Sequence, residues 1–205
     1  MTEPGPSPMA ANPDRDVLAA LLVQQMPALE AFVRLRMGVA LRKRETGEDL
    51  VQTVCRAALE SFDRLQFRGD AAFRSWLFGI AGNKLRERVR LVTAQRRDPA
   101  RERPLDEMRA SSVLDGCRGL CTPSRELQSQ ETLRGIEAAF DALPADQQEA
   151  VSLRRIASLD YAAIAAAMAR SEGAVRNLVH RGLARFALLL EEAGIGPAAK
   201  GSDHD

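Results

Sequence analysis

Leu159-Asp160-Tyr161-Ala162-Ala163-Ile164-Ala165-Ala166-Ala167-Met168-Ala169-Arg170-Ser171-Glu172-Gly173-Ala174-Val175-Arg176-Asn177-Leu178-Val179-His180-Arg181 is the stretch whose reading decides the fold. Asp160 stands where a carboxylate can accept the free N–H groups of a starting helix, and Leu159 and Ile164 bracket that start as a hydrophobic staple. Ala165 is small enough for two helices to cross closely. Ala169-Arg170 reads as a turn, and Ser171 as the cap of a second helix whose Val175 and Leu178 face inward. The pattern predicts a helix-turn-helix. Such a turn often takes glycine for its positive φ, and alanine stands there instead. The plainer alternative is a helical hairpin inside an all-helical domain.

On the second helix the outward positions are Glu172, Arg176, Asn177, His180 and Arg181. Arginine and asparagine can each make two hydrogen bonds to a purine edge in the major groove, and Arg181 and Arg185 can hold phosphates. Arg176, Asn177, His180 and Arg181 are therefore the expected DNA-reading side chains. The chain has just two histidines, His180 and His204, which argues against a metal or catalytic role for His180.

Helical spacing of apolar residues recurs on both sides of this stretch. Val17, Leu21, Leu22, Leu29, Phe32, Val33 and Met37 predict a first helix, with Pro27 marking a kink or break. Leu50, Val51, Val54, Ala58 and Leu59 stripe a second, over about 48–62. A third begins near Asp70, a candidate cap, with Phe73, Trp76, Leu77, Ile80 and Leu85 on one side. Its other side carries Arg74, Asn83, Lys84, Arg86, Arg88 and Arg90. From Thr93 to about Arg125 the period is lost and prolines and glycines gather, as in a linker. Helical spacing returns at Leu127 and restarts after Pro144. The expected organisation is all-α: a disordered leader over 1–13, a helical bundle over 14–92, a linker over 93–126, a helix-turn-helix domain over 127–193 and a tail over 194–205.

The net charge of +1 over 205 residues hides two basic blocks. Residues 64–103 hold 11 Lys and Arg against 4 Asp and Glu, and residues 154–185 hold 6 against 2. Acidic sequence separates them. Two surfaces for a polyanion follow more naturally than one generally sticky protein, although an arginine-rich helix face can also be merely solvated. The start of the chain has no basic flank followed by an apolar run, and no stretch approaches about 18 uninterrupted apolar residues. A cytoplasmic protein without membrane insertion is expected. Cys55, Cys117 and Cys121 have no framework spacing and do not suggest a secreted disulfide scaffold.

Two blocks together resemble bacterial RNA polymerase sigma factors of the sigma-70 family, extracytoplasmic-function class. Asp49-Leu50-Val51-Gln52-Thr53-Val54, with Phe67-Arg68-Gly69-Asp70-Ala71-Ala72-Phe73-Arg74-Ser75-Trp76-Leu77-Phe78-Gly79-Ile80-Ala81-Gly82-Asn83-Lys84, is similar to region two. Leu143-Pro144, then Leu159 to Ala165, then Gly173 to Arg181, is similar to region four. The resemblance implies docking on core RNA polymerase through Asp49, Leu50, Val51 and Gln52. It also implies that the basic face after Phe73 takes and helps open the minus-ten element, while Arg176, Asn177, His180 and Arg181 read the minus-thirty-five element. Promoter DNA and core RNA polymerase are the implied partners, with room for an anti-sigma factor, and neither a cofactor nor an active site is called for.

An opened strand needs cations and an apolar pocket for an unstacked base. Trp76 and Phe73 are candidates, but they lie on the apolar stripe and are expected in the core. Arg74, Lys84, Arg86 and Arg88 are the expected DNA contacts. Thr53 and Cys55 replace the acidic and aromatic residues common in the family, Leu178 and Leu183 stand where arginines often lie, and Glu87 keeps a carboxylate. The competing reading is a stand-alone helix-turn-helix regulator, most naturally a dimer on a palindrome. A redox or zinc sensor on Cys117-x-x-x-Cys121 with Cys55 lacks further ligands nearby, and no nucleophile, base and orienting group can be named for an enzyme.

Overall fold

The computed structural model describes residues 15–65, 68–96 and 125–195, and eight α-helices and one 3₁₀ turn account for almost all of them. No strand occurs among the described residues. Helix α1 (Arg15–Arg36) runs unbroken through Pro27 and buries Leu18, Leu22, Leu29, Phe32 and Val33. It is long and apolar enough to cross a membrane by length and composition, yet these side chains form core contacts within the protein. A short α2 (Gly38–Arg42) follows. Helix α3 (Gly47–Ser61) is capped by Thr46, whose Oγ1 accepts from the Asp49 backbone N–H at 3.1 Å, satisfying a donor the helix itself cannot. Its buried stripe is Leu50, Val51, Val54 and Ala58, while Leu59, expected on the stripe, is exposed.

After the turn Phe62–Arg64 comes α4 (Asp70–Arg96). Asp70 is its first helical residue rather than its cap, and Gly69 at φ 87° makes the bend that precedes it, a conformation open to glycine at little cost. Phe73, Leu77, Phe78, Ala81 and Leu85 are buried, and Phe78 meets Phe32 of α1 edge-to-face at 5.1 Å between centroids. The bundle core is thus built from large side chains.

The second half contains α5 (Arg125–Asp141), α6 (Ala145–Arg155), α7 (Tyr161–Met168) and α8 (Glu172–Glu192). Residues 93–96 continue α4 and 125–126 open α5, so the helices reach into both ends of the stretch expected to be a linker. Pro144 starts α6 without a side-chain cap. The preceding end is closed by Gln148 instead, whose Nε2 donates to the carbonyls of Phe140, Asp141 and Leu143 at 3.0, 3.2 and 3.0 Å. Helices α6 and α8 cross at Gly182, where a Cβ would lie 2.7 Å from Val151 Cγ2 and 3.2 Å from Gln147 Cβ. Phe140 and Phe186 pack edge-to-face at 5.7 Å beside this crossing.

The two halves touch. One apolar cluster runs from Leu18, Phe32 and Leu77 to Ala150, Leu153, Ile164 and Val175, and Leu35 of α1 packs against Phe140, Leu143 and Val151. Around this contact, Arg34 and Arg42 pair with Glu137 and Asp141 of α5, and Glu149 of α6 receives Arg86 at 2.8 Å and Arg36 at 3.8 Å. Burial disfavours the charged form of Arg36; the Glu149 carboxylate opposes that effect and the neighbouring Arg86 adds to it.

Candidate nucleic-acid interface

The helix-turn-helix forms as its local chemistry dictates. Asp160 Oδ1 accepts from Ala163 N at 2.7 Å and starts α7, and Leu159 and Ile164 are buried in the same cluster. Helix α7 stops at Ala169, which takes the left-handed conformation at φ 51°, ψ 48° without a glycine. The Arg170 N–H then reaches back to the Ala165 carbonyl at 3.0 Å, closing the end of the helix. Ser171 accepts from Ala174 N at 3.3 Å and starts α8. Val175 and Val179 are buried and Leu178 is half-buried, so α8 seats one face on the domain core.

Arg176, Asn177, His180 and Arg181 all lie exposed on the opposite side of α8. They share one face and occupy the first half of the helix, the part that enters a major groove when such a motif docks. Arg176 lies 3.6 Å from Glu172, one turn earlier, and its guanidinium sits over the Tyr161 ring at 4.6 Å from the centroid. Arg154 lies over the same ring at 5.0 Å. Sequence reading missed Arg154 and gave Tyr161 no role. Arg154, Tyr161 and Arg176 lie on three consecutive helices, and the bend between α6 and α7 with the turn between α7 and α8 brings them together. Leu178 and Leu183 are half-buried against the core, which explains apolar residues at those two positions of the helix.

In the first half the candidates are less uniformly presented. Arg86 is exposed but engaged by Glu149 and by Asn83 Oδ1 at 2.7 Å. Lys84 pairs with Glu87 at 3.2 Å and Arg88 with Glu45 at 3.5 Å. Arg74 is half-buried, and its Nε is buried without a hydrogen-bond partner among the described residues. Phe73 is 1% exposed and Trp76 half-buried against it at 5.7 Å, so both join the core as their place on the stripe implied. Of the four residues expected to dock on polymerase, Asp49 and Gln52 are exposed on α3. Leu50 and Val51 are turned into the bundle, at 0% and 7% exposure, because they carry the helix's apolar stripe.

Cys55 is half-buried, and burial pushes its thiol above the ordinary range. Cys117 and Cys121 lie outside the described residues, as do the leader over 1–13, Phe67, most of the linker and the end of the tail. Among the described residues no group of three or more His, Cys, Asp or Glu is placed to hold a metal ion.

Described residues that are helical, with a capped helix-turn-helix, a row of Arg, Asn, His and Arg on its second helix and a helical bundle that carries a second basic face, define a DNA-binding protein of transcription. Comparison with known proteins narrows the class. Residues 22–95 match the family Sigma-70 region 2, and residues 133–186 match Sigma-70, region 4. The chain is 28% identical over 173 residues to the ECF RNA polymerase sigma factor SigD of Mycobacterium tuberculosis, covering 84% of this chain and 76% of the relative. It is 32% identical over 135 residues to the ECF RNA polymerase sigma-E factor of Escherichia coli, covering 65% and 68%. Among solved structures, the sigma factor RpoE in complex with the anti-sigma factor NepR from Bartonella quintana shares the fold with a TM-score of 0.57 at 24% identity, over 87% of this chain and 98% of that one. CnrH, solved with the cytosolic domain of CnrY, gives a TM-score of 0.57 at 20% identity over 87% and 90%.

The chain belongs to the extracytoplasmic-function class of the sigma-70 family. It is a transcription initiation factor that directs core RNA polymerase to promoters, and the stand-alone regulator is not favoured.

Proposed function

We propose that the exposed row on α8, Arg176, Asn177, His180 and Arg181, reads the minus-thirty-five element in the major groove. The observation that carries this is the capped turn, which puts all four on one solvent face of a helix whose other face is fixed in the core. On α4, Arg74, Lys84, Arg86 and Arg88 take the minus-ten element. Asp49 and Gln52 contact the polymerase, with Leu50 and Val51 shaping that helix from inside. The working units are a bundle over 14–92 and a helix-turn-helix domain over 127–193, joined by 93–126, with a leader over 1–13 and a tail over 194–205. The protein acts in the cytoplasm, where polymerase meets the chromosome, and its role is binding rather than catalysis.

Because Arg86 is held by Glu149 of the other half, its release for DNA goes with separation of the halves. The anti-sigma factor NepR in the RpoE complex supports a partner of that kind for this chain as well. The test is run-off transcription with purified core polymerase, with and without the protein, on genomic fragments that include its own upstream region. Discrete starts that need the protein are expected. Arg176→Glu or Arg181→Glu should reduce them while leaving polymerase binding intact, and initiation should weaken steeply with added salt. Equal transcription from wild type and both variants would remove α8 from promoter reading.

A further inference from the structure

We infer that Tyr161 is a positioning residue for promoter reading: its ring holds the guanidiniums of Arg176 and Arg154 in place before DNA arrives. Tyr161 opens α7 directly after the Asp160 cap, so its backbone is fixed by the Asp160 Oδ1 contact with Ala163 N at 2.7 Å. Its ring is half-buried, packed against the domain core. Arg176 and Arg154 lie 4.6 and 5.0 Å from its centroid.

Arginine is weakly hydrated and planar, so it gains more from an aromatic face than it loses in water contact. An exposed arginine otherwise samples many rotamers and must be ordered at the moment of binding. Two guanidiniums repel each other, and the electron-rich ring is the element that offsets this repulsion. Arg154 is also tied down from below, its Nη1 donating to the Leu159 carbonyl at 3.0 Å. It thus supplies a second fixed cation beside the recognition helix, suited to a phosphate of duplex DNA, while Arg176 extends toward base edges. Glu172 at 3.6 Å, one turn earlier on α8, competes for Arg176, and the ring face at 4.6 Å is its second partner.

The inference rests on the reading of α8 as the recognition helix, and the experiment separates the two. Holoenzyme assembled from full-length protein and core polymerase is bound to duplexes randomised across the minus-thirty-five segment, and the retained pool is sequenced. Wild type should enrich a preferred sequence, and Arg176→Ala should flatten preference at one or two of its positions. Tyr161→Leu keeps the apolar packing but removes the ring; it should flatten the same positions and weaken binding to the best duplex about five-fold. Tyr161→Phe keeps the ring and should stay within about two-fold of wild type. Arg154→Gln should lower affinity for all sequences alike and reduce the salt slope by about one.

If Arg176→Ala leaves the pool unchanged, α8 is not the reader. If Arg176→Ala changes it and Tyr161→Leu does not, or if Tyr161→Phe fails as Leu does, the ring is not the positioning element. Should Tyr161→Leu unfold the domain, the Phe variant and the salt slope of Arg154→Gln decide: an unchanged slope overturns the proposal.

Discussion

In the amino-terminal bundle three of the four cations proposed to meet DNA are engaged by carboxylates, Arg86 by Glu149, Lys84 by Glu87 and Arg88 by Glu45, and Arg74 is half-buried. In the carboxy-terminal unit Asn177, His180 and Arg181 stand on an exposed helix face, and Arg176 rests on an aromatic ring. Each core has an edge-to-face phenylalanine pair, Phe32 with Phe78 and Phe140 with Phe186, and the second unit adds side-chain caps at Asp160 and Ser171 and one close crossing at Gly182. The second half presents rigid helices ready to dock. On the proposed reading the first exchanges protein carboxylates for phosphates, and of its three pairs Arg86 with Glu149 is the one that crosses to the other half.

The largest expected effect tests the first core. Phe78→Ala removes the partner of Phe32 and leaves a cavity that helices cannot close, costing about 3–5 kcal/mol. Chemical denaturation should show the bundle signal, followed by Trp76 fluorescence, lost at lower denaturant. A loss of about 1 kcal/mol or less would mean that this core is not the tightly packed one described here.

Gly182→Ala tests the second. An added methyl would clash with Val151 Cγ2 at 2.7 Å, and Gln147 Cβ at 3.2 Å is too close to its own backbone to yield. Alanine's helix propensity returns about 1 kcal/mol, against about 1–3 kcal/mol for overpacking, so a net loss of about 0–2 kcal/mol is expected. A gain in melting temperature would show that α6 and α8 cross with more room.

Glu149→Gln acts between the two halves. It leaves the poorly exposed Arg36 without its carboxylate and frees Arg86, at a cost of about 1 kcal/mol. Small-angle scattering should report a wider separation of the halves, and free protein should bind minus-ten single strands more tightly. Unchanged dimensions and binding would mean that the apolar cluster, with the Arg34 and Arg42 pairs to Glu137 and Asp141, holds the contact without Glu149.

How much of this was legible depended on sequence distance. The helix-turn-helix could be read because its caps and apolar positions act over three to five residues, and the four exposed side chains on α8 followed from the same spacing. The stripes of α3 and α4 were readable too, and put Phe73 and Trp76 inside. Assigning Leu50 and Val51 to a docking surface conflicted with that very stripe, which holds them in the core. The pairs from Arg34, Arg36, Arg42 and Arg86 to α5 and α6 depend on how remote helices meet, and the gathering of Arg154, Tyr161 and Arg176 on the angles between three consecutive ones, neither of which a local period encodes.

The smallest expected effect returns to the turn. Ala169 holds φ 51°, and a left-handed alanine costs roughly 1–2 kcal/mol because its Cβ crowds the following carbonyl. Glycine removes that crowding but loses about 0.5–1 kcal/mol more chain freedom on folding. The two oppose, and the steric part is larger, so Ala169→Gly should stabilise the second half by about 0.5–1 kcal/mol, with no change in promoter preference. Its melting transition should rise by a few degrees, about what a domain of this size gives for that free energy. Lower stability would mean that the chain turns elsewhere between Met168 and Ser171. Then α8 would start in a different register, and Arg176 would no longer lie over Tyr161.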